Sequence, residues 1–369
     1  MLEGGTDLLY RQALASGFEP LLEIQVWRED EQLEDDLIIM SGTVSATLTS
    51  RVSRTCTLTV HEDLYPVEDD GLLNPYTNRL KIYSGIRFAD GEEFRWQVFG
   101  GRITRVQMNS GQGTCTVEAS DRAYEVLGAA FPQPENSTFG AGVLAEFQRL
   151  ISDGVPDAIF GTSDTFFQTM PLLTWEHDRS QALDEIATSC GAFWYPLANE
   201  RFVLRRYPWT VAGSPVITFS DDDDGTITTS TVVRDRTTIF NQVTVTGERL
   251  DGTAPVYATV SDLNPASATY ALGPFGIQNK LIKLNTPQIQ DNALDAANSY
   301  LRRTTALTEF WSFTCTPDAS LELGDIIEIN AMSRTNVIQV VASISIPLGV
   351  SGDMSVSCRA QVIGSLEGA

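Results

Sequence analysis

The sequence predicts a mainly β protein with a smaller α+β accessory part. Apolar residues alternate with polar ones in many short runs, which is the signature of half-buried strands. Helix-period stretches are few and short, and most end at glycine. Proline-rich breakers divide the chain near residues 132–134 and 208–215.

Taken in order, segment 6–16 (TDLLYRQALAS) predicts a short helix stopped by Gly17. Leu22, Ile24 and Val26 then alternate with Glu23, Gln25 and Trp27, and the acidic run Glu29 to Asp36 flanks a hairpin turn. Val44, Ala46 and Leu48 share one side of the next strand, and Cys56, Leu58 and Val60 that of another. Cys115, Val117 and Ala119 repeat the pattern. Their partners are Ser and Thr, so the wet face is hydroxyl-rich, as on an antiparallel sheet with one solvated side.

Segment 141–153 places Val143, Leu144, Phe147, Leu150 and Ile151 on one helical stripe and ends at Gly154. In segment 178–190, Ser180 is the predicted cap, Leu183, Ile186, Ala187 and Cys190 the stripe, and Gly191 the stop. A hairpin follows, Phe193–Tyr195 with Phe202–Tyr207 around Asn199-Glu200. Beyond it, Val243 and Val245, then Trp311, Phe313 and Cys315, then Met354, Val356, Cys358, Ala360 and Val362 mark strands. One further helix is predicted, with Thr286 as cap, Pro287 at the first position, Ala293, Ala297 and Leu301 inward, and Arg302-Arg303 at its end. The layout is an N-terminal β unit (1–135), a small α+β unit (136–210) and a C-terminal β unit with one helix (211–369). The α+β unit is inserted between the β ends or packed against them. The ends share no sequence repeat.

The 369 residues carry 25 Lys+Arg against 48 Asp+Glu, a net charge of −23. Such a balance opposes grip on phosphate backbones and on anionic membranes. The lysines are Lys81, Lys280 and Lys283 alone. No run of about 18 apolar residues is present to insert in a bilayer. The start, Met1 to Asp7, lacks the pattern of a secretory signal. Cys56, Cys115, Cys190, Cys315 and Cys358 are dispersed, so the reading is buried thiols made in a reducing cytoplasm.

The search for chemistry finds no constellation. His61 and His177 have no second ligand at metal spacing, and solvated or capping roles are expected of both. No nucleophile elbow and no phosphate-binding loop occur. In Asp221-Asp222-Asp223-Asp224-Gly225, Gly225 stands where a calcium loop needs its third ligand, and a solvated turn is expected. Trp194, Tyr195, Tyr207 and Trp209 would suit a sugar platform if exposed and a core if not. No catalytic, cofactor-binding or metal residue is assigned, and no enzymatic activity is expected.

Residues 42–131 carry a resemblance. Gly42-Thr43-Val44-Ser45 leads into Arg54-Thr55-Cys56-Thr57-Leu58-Thr59-Val60, then Gly71-Leu72-Leu73-Asn74-Pro75-Tyr76, Arg79 to Gly85, Glu93 to Gly101, Ile103–Met108 and Glu118-Ala119-Ser120-Asp121-Arg122. Later come Arg179 to Leu183 with Cys190-Gly191-Ala192-Phe193, Phe240-Asn241-Gln242-Val243-Thr244-Val245, and Leu323-Gly324-Asp325-Ile326-Ile327. This order, over about residues 20–350, resembles the minor tail or baseplate hub proteins of long-tailed phages, especially those of actinobacterial hosts. At one position, Thr77 stands where glycine is expected.

The resemblance implies two tail-tube-like β-barrel domains with a small α+β domain between them. It implies a structural role in the virion, at the tip of the tail. A homotrimer would form a pseudo-six-fold ring contacting the tail tube, the distal tail protein, the tape-measure protein and the tip fibre or spike. DNA would pass without specific binding and no membrane would be entered; part of the −23 charge would then line the channel, repelling phosphates. A carbohydrate-binding or glycoside-cleaving tail protein and the hub of a contractile injection system are the alternatives.

Overall fold

The computed structural model describes residues 10, 13–14, 18–88, 91–208, 213–223, 225–247, 254–284, 290–305, 309–349 and 352–360. The N-terminal strands are β1 (Glu19–Arg28), β2 (Glu31–Glu34), β3 (Ser41–Thr47), β4 (Arg54–His61), β5 (Asn78–Arg87), β6 (Glu93–Asn109) and β7 (Thr114–Asp121). Helix α1 (Ala123–Gly128) leads to β8 (Glu135–Asn136), α2 (Val143–Gly154), β9 (Ile159–Phe160), β10 (Thr174–Trp175), α3 (Arg179–Ser189), β11 (Ala192–Pro196) and β12 (Arg201–Arg206). The chain continues through β13 (Ile217–Ser220), β14 (Ile227–Val233), β15 (Gln242–Gly247), β16 (Val256–Ser261), β17 (Asn279–Leu284) and α4 (Gln290–Thr305). It closes with β18 (Phe310–Cys315), β19 (Ile326–Ala331), β20 (Arg334–Leu348) and β21 (Met354–Ala360). The protein is mainly β with a small α part, as the alternation predicts.

Thirteen strands form one sheet, in the order β14-β18-β21-β20-β3-β4-β7-β6-β5-β1-β2, with β19 branching from β20 and β13 from β19. The two ends of the chain join at β20 and β3, where Ser345 faces Ser45 and Ile344 faces Ala46. Each half then curls. In the first, Leu37 N–H donates to Ile24 O and Met40 N–H to Thr59 O, both at 2.8 Å, so segment 37–40 lies between β1 and β4 and closes a barrel. In the second, β19 returns from β20 and β13 lies parallel to it. One core serves both halves. It contains Ile24, Leu58, Phe99 and Val117 from the first and Trp311, Phe313, Ile327 and Met354 from the second. The predicted inward residues Val44, Ala46, Cys56, Val60, Cys115, Ala119, Cys315, Val356 and Cys358 are all buried in it.

The two halves repeat a plan that the sequence does not show. β5-β6-β7 and β19-β20-β21 are each an antiparallel meander around one long strand. In both long strands four successive residues are buried, Val98–Gly101 and Gln339–Ala342, where both faces are covered.

A second core packs α1, α2 and α3 on the β11–β12 hairpin through Phe147, Leu150, Ile151, Leu183, Ile186 and Phe202. The hairpin falls where the sequence places it. Helix α3 is capped by Asp178, not Ser180: the Asp178 carboxylate accepts from Gln181 N–H, and Ser180 donates its hydroxyl to the same oxygen. A charged acceptor one turn earlier satisfies the free amide better than a hydroxyl inside the first turn. Gly191, at φ +65°, ends this stretch as predicted. A third core lies between α4 and the small sheet β16-β15-β17, with Val243, Val245, Ala258, Ala293, Ala297 and Leu301 inside. Of the predicted 6–16 helix, Tyr10, Ala13 and Leu14 are helical and buried. The rest of it, Trp209, Asp224, Thr286, Pro287 and Val362 lie outside the described residues.

Candidate assembly surface

The strand registers align the hydroxyls into rows. Thr314 faces Ser355, Ser355 faces Ser345, Ser345 faces Ser45, Ser45 faces Thr55, and Thr55 faces Ser120. A parallel row runs through Thr231, Ser312, Ser357, Ser343 and Thr47. Eight strands, β14-β18-β21-β20-β3-β4-β7-β6, thus share one broad outward face of short hydroxyl side chains. Among the described residues of these strands beyond the β6 crossover, Glu118 is the one acid on that face, and Arg105 pairs with it at 3.0 Å.

Two strand edges bound this face. β14 pairs with β18 on one side, and no described strand pairs with its other side. β5 pairs with β6 only as far as Arg102, so the outer half of β6, to Asn109, has β7 on one side and an open ladder on the other. The equivalent half of β20 is paired on both sides, by β21 and by β3. The open edge of β6 therefore stands where its counterpart already holds a strand.

Buried polar groups fix the two halves against each other. The Arg54 side chain is buried; it donates to Val98 O at 3.0 Å and forms an ion pair with Glu322, whose Oε1 also accepts from Leu323 N–H. Asp121 accepts from Ser53 Oγ (2.9 Å), Arg54 N–H (2.7 Å) and Ala123 N–H (3.0 Å), while burial pushes its carboxyl up to about 7. Asp325 accepts from Glu322 N–H at 2.9 Å, and burial, reinforced by nearby Glu322, pushes it up to about 6. Arg54, Glu322 and Asp121 were not singled out as a cluster from the sequence. An arginine opening an otherwise apolar-and-threonine strand was the available signal.

The motifs behind the resemblance act as pins. Asn74 Oδ1 accepts from Tyr76 N–H at 2.8 Å, and Asn78 donates to Gly71 O and Leu72 O, closing the turn without a left-handed residue at Thr77. Asn241 is fully buried, donates to Thr269 O and Gly276 O and accepts from Gln278 N–H, which ties a long loop to β15. Gly324, at φ +84°, lets its N–H reach Val341 O.

The remaining candidates are not brought together. All five cysteines are buried, and burial raises Cys190 to about 11. His61 caps a single 3-10 turn (Glu62–Leu64) by accepting from Asp63 N–H, and His177 Nδ1 lies 3.3 Å from Phe131 O. Asp221 accepts from Met332 N–H and Asp222 from Ser220 Oγ, in the turn that joins β13 to β14. Among the described residues no cluster could hold a metal ion. Trp194, Tyr195 and Tyr207 are buried, so the sugar platform loses three of its four members. No described helix is long and apolar enough to cross a membrane.

No family model and no curated protein matches the sequence. Solved structures do match its fold. The tail protein from Neisseria meningitidis MC58 superposes with a TM-score of 0.66 at 12% identity, covering 92% of this chain and 96% of that one. The 43 kDa tail protein of prophage MuSo2 from Shewanella oneidensis gives 0.62 at 12% identity, covering 92% and 98%. Prophage tail protein gp18 from Listeria monocytogenes EGD-e gives 0.54 at 10% identity, covering 91% and 94%. The chain shares the fold of these tail proteins. At such identities, the likeness speaks for the architecture alone.

Proposed function

We propose that this chain is a structural baseplate or tail-tip hub protein of a long-tailed phage, a minor tail protein of the virion without catalytic activity. The observation that carries the reading is the pair of open strand edges bounding one hydroxyl face. The two halves follow one plan, and within the chain the outer half of β20 is completed by β3. By the same geometry, the outer half of β6 would be completed by β14 of the next copy. Such a contact is heterologous and closes into a ring. Three copies, each with two equivalent halves, would give a pseudo-six-fold ring suited to a six-fold tube. Its contacts would be the tail tube, the distal tail protein, the tape-measure protein and the tip fibre or spike.

With the hydroxyl face inward, DNA would pass a neutral, hydrogen-bonding wall. The expectation of an acidic lining finds no support on that face, where Glu118 is already paired. Many of the acids sit instead in the β1–β2 turn and in segment 62–70. Repulsion of phosphates would then act at a rim. The actinobacterial host range and the choice of a phage tail over a contractile injection system rest on the motif order.

Negative-stain electron microscopy of the purified chain tests the reading. Three-fold particles with a central pore are expected. Compact monomers at every concentration, with and without a tube protein, would overturn it.

A further inference from the structure

A cleft of about 280 Å3 opens where the large sheet, the α3–β11 unit and helix α4 meet. Its lining includes Arg303 from α4 and Arg359 from β21. Arg303 Nη1 donates to the Tyr207 hydroxyl at 3.2 Å, and its guanidinium lies over the Tyr207 ring, 5.3 Å from the centroid. Among the described residues no carboxylate lies within ion-pair distance of Arg303. Burial first, and the charge of Arg303 second, hold Arg359 below the usual guanidinium range. The acid in the cleft, Asp184, is engaged by Arg51 Nε at 3.2 Å and by Trp194 Nε1 at 2.8 Å. Phe193 and Tyr207 stack at 5.3 Å to form the aromatic wall.

Two guanidiniums thus share a half-buried cleft in a protein of charge −23. Bringing like charges together out of water costs free energy, and a bound anion removes that cost. The planar fork of Arg suits oxyanions. We propose that this cleft binds a free small oxyanion of the phosphate or carboxylate class between Arg303 and Arg359. The bound anion ties β21 to α4 against the aromatic wall of the α3–β11 unit. Its volume exceeds that of bare phosphate, leaving room for an attached small group.

The test is titration of the full chain with inorganic phosphate, and in a second arm with citrate, at ionic strength held constant with sodium chloride. Calorimetry should show one anion per chain. The unfolding midpoint should rise saturably, since a ligand of the folded state stabilises it. The arm with the tighter binding identifies the class. Arg303→Gln and Arg359→Gln should each weaken binding at least tenfold, while Arg95→Gln, at an exposed arginine paired with Glu23, should leave it unchanged. Without anion, Arg303→Gln should keep or raise the midpoint. Absence of saturable binding of both anions to the wild-type chain would overturn the proposal, and so would unchanged binding in both glutamine variants. If neither variant folds, the wild-type calorimetry decides. None of these outcomes depends on ring formation.

Discussion

Strands β6 and β20 run the same course through the two halves, yet their crossovers are built differently. Val98-Phe99-Gly100-Gly101 stands in one and Gln339-Val340-Val341-Ala342 in the other. A Cβ on Gly101 would lie 2.1 Å from Ser120 O, and one on Gly100 2.5 Å from Glu200 Cγ and 2.9 Å from Ala198 O. The β11–β12 turn rests on β6 there, with Glu200 between Arg79 and Lys81 at 3.8 Å from each. At the second crossover Val340 instead packs with Tyr207 and Phe193, which leaves room for Val and Ala side chains. The path of a strand is set by ladder and alternation. The residue at its tightest point is set by what lands on it.

The harshest way to break this comparison is to exchange the crossovers. Gly101→Ala should cost more than about 4 kcal/mol or prevent folding, because a backbone oxygen must move. Ala342→Gly should cost about 1 kcal/mol. Denaturant unfolding measures both, and equal losses would refute the asymmetry. Next in size is the tie between halves. Arg54→Ala should cost about 3 kcal/mol by leaving Glu322 without its partner. A double-mutant cycle with Glu322→Gln should recover a coupling above about 1 kcal/mol.

Each half also holds one carboxyl raised by burial, Asp121 to about 7 and Asp325 to about 6. A raised acid binds its proton more tightly in the folded than in the unfolded chain. Its contribution is therefore full below about pH 4 and is lost as pH rises through 6 and 7. Stability should fall across that window by on the order of 2 kcal/mol for each group. In unfolding curves taken at a series of pH values, Asp325→Asn should flatten the fall near 6 and Asp121→Asn that near 7. The gentlest change is Glu200→Gln, worth about 1 kcal/mol at a partly exposed ion-pair site. Hydrogen exchange should quicken in the β11–β12 turn and β6, with β19–β21 unaffected.

Strands were legible wherever one face is wet. Leu58 and Val60 or Trp311 and Phe313 declare their inward side through the threonines and serines between them. The helix stripes of α2 and α3 were legible for the same reason. The cap of α3 was misassigned because Asp178 and Ser180 are both good capping residues, and only the chain path decides which carbonyl starts the helix. The assembly face was half legible. Its hydroxyls could be read strand by strand, but not that seven registers align them, nor that β6 and β14 keep open edges. Arg303 and Arg359 lie 56 residues apart, a separation read directly from the sequence, and nothing local joins them.

Alternation and breakers by themselves determined a mainly β protein, the inward face of most strands, the buried cysteines and the lack of a local catalytic motif. Such properties depend on near neighbours along the chain, and period two survives whatever the partner strand is. The tertiary structure alone decided that the ends merge in one sheet, that the two halves repeat a plan, and that Arg54 meets Glu322. Those facts depend on pairings across as many as 300 residues, whose hydrogen bonds are made by backbone groups that every sequence carries alike.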